Sequence, residues 1–327
     1  MPDTVPTTAL RLHSFRALHP GPRLIVTGAV HGNETCGSKA IQRVAAELDS
    51  GALQLLRGSL TLVPVTNPLA YERGQRMGDR NLNRNLYPNA MPQDYEDHIA
   101  NVLCPLLADH DVLLDLHSYQ SPGEPFVMLG PQDNTGELEP FAHAAQEEAL
   151  ALRLGPRRIV EGWLQTYAEG VKVRLARTQG ADRAQLLSTD PRYGVGTTEY
   201  MRSQGGYGVT LECGQHDDPQ APEVGWRAIR HTLALLQMVD APPPTPTAES
   251  QMLRLTQVID KHHADDRFTQ AWSSYDPVTK GQTIGERHDG TPVQADADGF
   301  IVFPNSGALA GNEWFYFAQR SSRLAPV

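Results

Sequence analysis

The tetrapeptide HGNE at 31–34 sets a histidine and a glutamate three residues apart, directly after an apolar run, LIVTGAV, at 24–30. That spacing lets both side chains reach one point from a turn or a first helical turn. Gly32 between them permits backbone shapes that other residues resist. Alone, H-x-x-E is a common accident of solvated helices. A second apolar run, LLDLHS at 113–118, also closes on a histidine, His117. In isolation His117 would read as a core residue. Two strand ends offering His plus Glu and His change that reading, because two imidazoles, a carboxylate and a water form a usual hydrolytic zinc set. The expectation is one Zn2+ per chain on His31, Glu34 and His117.

A third run, GVTLECG at 208–214, ends on a carboxylate that is costly to bury unless something needs it there. Glu212 is read as the general base that deprotonates the attacking water and hands the proton to the leaving nitrogen. A structural pair with an arginine is its alternative. Cys213 beside it reads as packing. Asp115 shares a strand face with His117 and could orient a ligand imidazole or an arginine, or be structural. The segment RMGDRNLNRNLYP at 76–88 carries Arg76, Arg80 and Arg84 with Asn81, Asn83 and Asn85, without helical or strand periodicity. Such a loop suits gripping a carboxylate or an oxyanion, the alternative being a solvated loop. His98, His216 and His231 read as surface or core residues. His262 and His263, adjacent on a strand, would point to opposite faces and make poor co-ligands.

These residues need elements to position them. Strands are expected at 24–30, 60–65, 112–116 and 208–212, and helices at 35–48, 92–107 and 226–239. Strands apolar on both faces and separated by helices predict an α/β fold, a mostly parallel or mixed central sheet with helices on both faces. The proline-rich stretch APPPTPT at 241–247 reads as a stiff linker. Beyond it, turn signals at Asp276-Pro277, Lys280-Gly281, Asp289-Gly290 and Asp298-Gly299 predict short antiparallel strands. The expected organisation is a catalytic domain at 1–240, the linker, and a small β-domain at 248–327.

Bulk properties narrow the partners. A net charge of −10 disfavours nucleic acid and anionic membranes, while a local arginine cluster still admits a small carboxylate substrate. No apolar run approaches a membrane span. The first twenty residues lack a secretory apolar core, and Cys36, Cys104 and Cys213 show no paired spacing, so a cytoplasmic location is expected. Homo-oligomerisation is left open.

The four motifs GAVHGNE, RMGDRNLNR, DLHS and GVTLECG, in this order over 25–214, resemble the succinylglutamate desuccinylase and aspartoacylase family, relatives of the zinc carboxypeptidases. The resemblance implies His31, Glu34 and His117 as zinc ligands and Glu212 as the catalytic acid/base. It implies Arg76 as the residue polarising the scissile carbonyl, and Asn83 with Arg84 as holders of a substrate carboxylate. Arg202 falls where aspartoacylases have a further carboxylate-binding arginine, and Tyr316 where the family has a substrate-contacting tyrosine. The family's DLNR is here NLNR, with Asn81 in place of the aspartate, which is expected to change how Arg84 is held. The C-terminal stretch is similar to the family's small β-domain, which walls the site entrance. The implied reaction is removal of an acyl group from an N-acyl amino acid or related small carboxylate. A zinc carboxypeptidase acting on peptides, or a catalytically silent zinc- or ligand-binding protein, are its rivals.

Overall fold

Leu24, Ile25 and Val26 are all closed to solvent, yet they serve two cores: Leu24 and Val26 pack on one side of their strand and Ile25 on the other. A strand buried on both faces must be central and covered by helices above and below. The computed structural model describes residues 7–175 and 189–323. Parts of the two expected domains (1–6, 176–188 and 324–327) lie outside the described residues.

The strands are β1 (His13–Arg16), β2 (His19–Gly28), β3 (Arg57–Val63), β4 (Val112–Tyr119), β5 (Phe126–Leu129), β6 (Arg158–Glu161), β7 (Tyr207–Gln215), β8 (Gln251–Asp260), β9 (Arg267–Phe268), β10 (Pro277–Val278), β11 (Thr283–Glu286), β12 (Pro292–Gln294), β13 (Gly299–Val302) and β14 (Glu313–Arg320). Among the described residues, eleven form one mixed sheet in the order β1-β3-β2-β4-β7-β5-β6-β8-β14-β13-β10, and β12-β11-β9 form a small second sheet. The block β3-β2-β4-β7 is parallel throughout. The helices are α1 (Cys36–Asp49), α2 (Pro68–Arg73), α3 (Tyr95–Ala108), α4 (Ala144–Ala151), α5 (Trp163–Leu175), α6 (Thr197–Ser203) and α7 (Ala221–Leu235). Ile41 and Val44 of α1 and Ile229 and Leu233 of α7 cover one face of the sheet; Ile99 and Leu103 of α3 and Met201 of α6 cover the other. Each such side chain contributes about 1.5–3 kcal/mol by leaving water.

The fold is the expected one, α/β with helices on both faces and a β-rich C-terminal part. At the join, β8 pairs in parallel with β6, so the main sheet runs from the first 240 residues into the last eighty without a break in hydrogen bonding. The proline-rich segment is fastened down: Thr247 N donates to Leu152 O, and Arg153 Nε to Pro244 O. In β8, Met252 and Leu253 are both buried, in different cores, and alternation is confined to 253–256, so the strand is covered on both faces only at its start, unlike β4.

Gly32 has a reason other than backbone freedom. A Cβ there would stand 2.0 Å from the carbonyl carbon of Ala70, so only glycine lets the start of the site loop lie against α2.

Candidate metal centre and active site

β2, β4 and β7 run side by side and deliver their carboxyl ends to one edge of the sheet. His31 follows β2, His117 lies near the end of β4, and Glu212 is the register partner of His117 on β7. Parallel register puts those two Cα atoms level on adjacent strands, with side chains on the same face. Ligand sites in open α/β sheets form at such strand ends.

The ligand atoms of His31, Glu34 and His117 all lie within 4.8 Å of one another, and all three residues are buried. Asn81 Oδ1 accepts from His31 Nε2 at 3.0 Å; the same oxygen takes the Asn83 backbone N–H at 2.9 Å, which orients the amide. His117 Nε2 donates to Asp115 Oδ2 at 2.8 Å. With Nε2 carrying the proton in the neutral His31 ring, its Nδ1 turns a lone pair toward Glu34. His31 Nδ1 lies 2.8 Å from Glu34 Oε1, too poorly aligned for a hydrogen bond, and has no partner in the protein. His117 Nδ1 lies 2.9 Å from Glu34 Oε2. His31 Nδ1 is thus a buried acceptor left facing a carboxylate, an arrangement that a cation held between the three residues would satisfy. Two imidazoles and one carboxylate fit zinc better than magnesium or calcium.

The two imidazoles differ behind the metal face. Burial, reinforced by Arg76, pushes His31 down to about 4, so it stays neutral as a ligand must. Burial also opposes charge on His117, but the carboxylates of Asp115 and Glu34 outweigh it and raise that imidazole well above its ordinary value. Asp115 is itself held by Thr27 Oγ1 at 2.6 Å and Thr197 Oγ1 at 2.5 Å. Asn81 therefore stands behind His31, a position different from the expected one beside Arg84. Asn81→Asp should tighten metal binding about tenfold, since carboxylates behind ligand histidines raise their basicity. Chelator competition measures this; unchanged affinity would leave Asn81 as scaffold only.

Glu212 is buried, and its Oε2 has no hydrogen-bond partner. Leaving such an oxygen unpaired costs about 1–3 kcal/mol. Burial, helped by Glu34, pushes this carboxyl up to about 8 against the pull of His117 and Arg76. Arg76 Nη1 donates to Glu34 Oε1 at 2.9 Å and lines the same cavity, of about 290 Å3. Arg84 also lines it, with its guanidinium 4.7 Å from the Trp163 ring centre and 3.9 Å from Glu313 Oε1. Asn83 Oδ1 caps α6 through Thr197 N, so part of its role is to join the arginine loop to α6. Tyr316, on β14, brings an unpartnered buried hydroxyl to the lining.

Two arginines differ from expectation. Arg80 does not face the cavity: it binds Asp94, Asp97 and the carbonyls of Asn81 and Arg84, pinning its own loop. Arg202 lines the cavity, but all five of its N–H groups already have protein acceptors. With none left over, it does not offer the carboxylate grip that the resemblance implied. The sequence reading also missed Glu96, whose buried carboxylate takes N–H groups from Asn67, Gly78, Asp79 and Arg80 and shapes the loop. It passed over His216 too, which lines the cavity and pairs with Ser118 Oγ at 2.9 Å. Its position four residues past Glu212 was the available signal. His263 stacks on His288 at 4.3 Å, away from this site.

A mixed open sheet whose adjacent strand ends bring together His, Glu and His, with a buried glutamate beside them, forms a site that could hold a metal ion. The chain belongs to the succinylglutamate desuccinylase/aspartoacylase family, whose catalytic-domain model matches residues 20–239. It is 34% identical over 309 residues to an N-alpha-acetyl-L-2,4-diaminobutyric acid deacetylase of Halomonas elongata, covering 88% of this chain and 79% of that protein. In fold it is similar to a succinylglutamate desuccinylase/aspartoacylase from Rhodobacter sphaeroides (TM-score 0.69, 18% identity, 95% of this chain and 90% of that one). It is likewise similar to a product-bound ectoine utilization protein from Ruegeria pomeroyi (TM-score 0.69, 19% identity, 94% and 88%).

Proposed function

We propose that this protein is a zinc-dependent deacylase that hydrolyses the amide bond of an N-acyl amino acid or related small carboxylate. The observation that carries the reading is the convergence of His31 Nδ1, His117 Nδ1 and the Glu34 carboxylate beside the unpartnered oxygen of Glu212. Family membership and the named activity of the Halomonas relative support it. A zinc ion held by His31, Glu34 and His117 supplies Lewis acidity and lowers the pKa of water. Glu212 takes the proton of the attacking water and delivers it to the leaving nitrogen, two tasks suited to a carboxyl poised near neutral pH. The Arg76 guanidinium stabilises negative charge developing on the carbonyl oxygen. Arg84 receives the substrate carboxylate, its plane steadied against Trp163. Phe303, Asn305 and Tyr316 of the C-terminal part close one side of the cavity, which favours a small substrate over a peptide.

The test joins metal analysis of the purified protein to a screen of acetyl, succinyl and formyl amino acids against peptides. Deacylation that follows zinc content supports the reading. Faster cleavage of peptides moves it to the carboxypeptidase, and absence of turnover on every amide moves it to the silent binder. Arg84→Ala should lower kcat/KM about 10- to 100-fold on substrates bearing a free carboxylate, the worth of one charged hydrogen-bonded contact. An equal loss on the corresponding carboxamides would remove Arg84 from that role.

A further inference from the structure

Arg84 presents an almost unused guanidinium to the cavity. Of the five N–H groups an arginine side chain carries, one is hydrogen-bonded among the described residues: Nη1 donates to Asn83 O at 2.8 Å. The rings of Trp163 and Tyr167, centred 4.7 and 5.6 Å from the guanidinium carbon, hold its plane without consuming donors. With 13% of its side chain exposed, Arg84 is a nearly buried charge that needs a counter-charge.

Glu313, the first residue of β14, supplies one. Its Oε1 lies 3.9 Å from Arg84 Nη2 and 3.7 Å from Arg174 Nη2. Both are ion-pair distances, and neither is a hydrogen bond. Arg174 is already bound to Asp260, through Nε at 2.8 Å and Nη2 at 2.7 Å. Two guanidinium groups and two carboxylates therefore balance, with Glu313 the loosest member. Burial opposes charge on Glu313, but Arg84 and Arg174 outweigh it and hold the carboxyl below its ordinary value. Glu313 is thus ionised at neutral pH, and it lines the same cavity as Arg84.

A carboxylate entering to meet Arg84 finds an anion of the protein already there. Attraction to the guanidinium is then offset by repulsion from a like charge a few ångströms away. Hydrolysis of an acyl amide leaves the carboxylate of the amino-acid half untouched, so substrate and product are held by the same grip. A grip equally strong for both does not speed turnover, and it slows the cycle once release limits the rate.

We propose that Glu313 is a built-in competitor for the substrate carboxylate, neutralising Arg84 in the open cavity and loosening its hold enough for the amino-acid product to leave. This rests on the deacylase reading, with Arg84 as the carboxylate holder. Glu313 acts through Arg84 and is a positioning residue. Through it the C-terminal part of the chain governs release as well as closing one side of the cavity.

The experiment compares the zinc-loaded full chain with Glu313→Gln and Glu313→Asp on N-acetylalanine, with alanine as product inhibitor. Arg174 keeps Asp260 in both variants, so both should fold. Glu313→Gln should lower the KM for N-acetylalanine and the inhibition constant of alanine together, each about tenfold, the size of a coupling between neighbouring charges. Its kcat should fall as release slows. Glu313→Asp keeps the charge and should lie closer to the wild type. N-acetylalaninamide, which has no carboxylate, should show a much smaller shift. In an Arg84→Ala background, Glu313→Gln should not tighten N-acetylalanine any further. A raised or unchanged KM in Glu313→Gln, or an equal shift on the carboxamide, overturns the proposal and leaves the deacylase reading standing. Calorimetry of N-acetylalanine on zinc-loaded Glu212→Gln, with and without Glu313→Gln, reads the same coupling without turnover. Should the wild type hydrolyse no amide, tighter binding in the double variant upholds the competitor and removes only the deacylase reading; equal binding removes both.

Discussion

Glu212→Gln should lower kcat about a thousandfold while the protein keeps its metal, the middle of the range for losing a positioned general acid/base. The substitution preserves shape and burial but removes the group that exchanges protons. The oxygen concerned has no hydrogen-bond partner to lose, so the folded state gives up nothing when it becomes an amide. Thermal stability should therefore stay close to that of the wild type, because one unpartnered buried polar group replaces another. Register against His117 fixes its location beside the ligands, so zinc content by atomic absorption should match the wild type. A variant that keeps more than a tenth of wild-type kcat would show that the proton moves by another route.

Removing the metal, or one of its ligands, should abolish turnover and weaken the fold together. Chelation is expected to lower the Tm, because a ligand present at a hundred times its Kd stabilises the native state by about 2.7 kcal/mol. Zinc added back should restore both melting temperature and activity. His117→Ala should not be rescued by zinc. It strips Asp115 of its imidazole partner at a site fully closed to solvent, and breaking a buried charged pair typically costs about 3–5 kcal/mol. Paired melting curves and assays with and without chelator decide the matter. Coincident melts together with undiminished activity in chelator would end the metal-centre reading.

Much of this site could be read from the chain because the fold transmits strand ends directly to one edge. An apolar run that stops at a histidine or glutamate announces a strand end bearing a polar group, and His31, Glu34, His117 and Glu212 are all announced in that way. Elements with strong periodicity, such as α1, α3 and β4, lie within a few residues of their expected bounds. Short or mixed elements such as α2, β5, β6 and α6 left no comparable trace, since four to seven residues carry too little pattern to separate helix from strand.

The arginine and asparagine loop shows the other limit. Composition marked 76–88 as a candidate ligand grip, but its polar side chains divide into several jobs that no local pattern distinguishes. Arg76 and Arg84 reach the cavity, Arg80 is consumed by Asp94 and Asp97, Asn81 backs His31, and Asn83 caps α6. Several partners are remote in sequence: Asn83 caps a helix 114 residues on, and Arg84 meets Glu313 near the end of the chain. Arg202 makes the same point: the family resemblance implied an anion site, and its carboxylate neighbours from α4, α6 and the segment before α4 surround the guanidinium instead.

From the amino-acid order alone came the class of fold and the residues that meet at the site, His31, Glu34, His117 and Glu212, because each depends on residue type at the end of a locally encoded strand. Which donors remain available to a substrate, what stands behind each imidazole, and the sign of charge at each side of the cavity emerged with the folded chain. Those properties are sums over neighbours brought together by packing, and a side chain's capacity to bind a ligand is whatever its neighbours have not already taken.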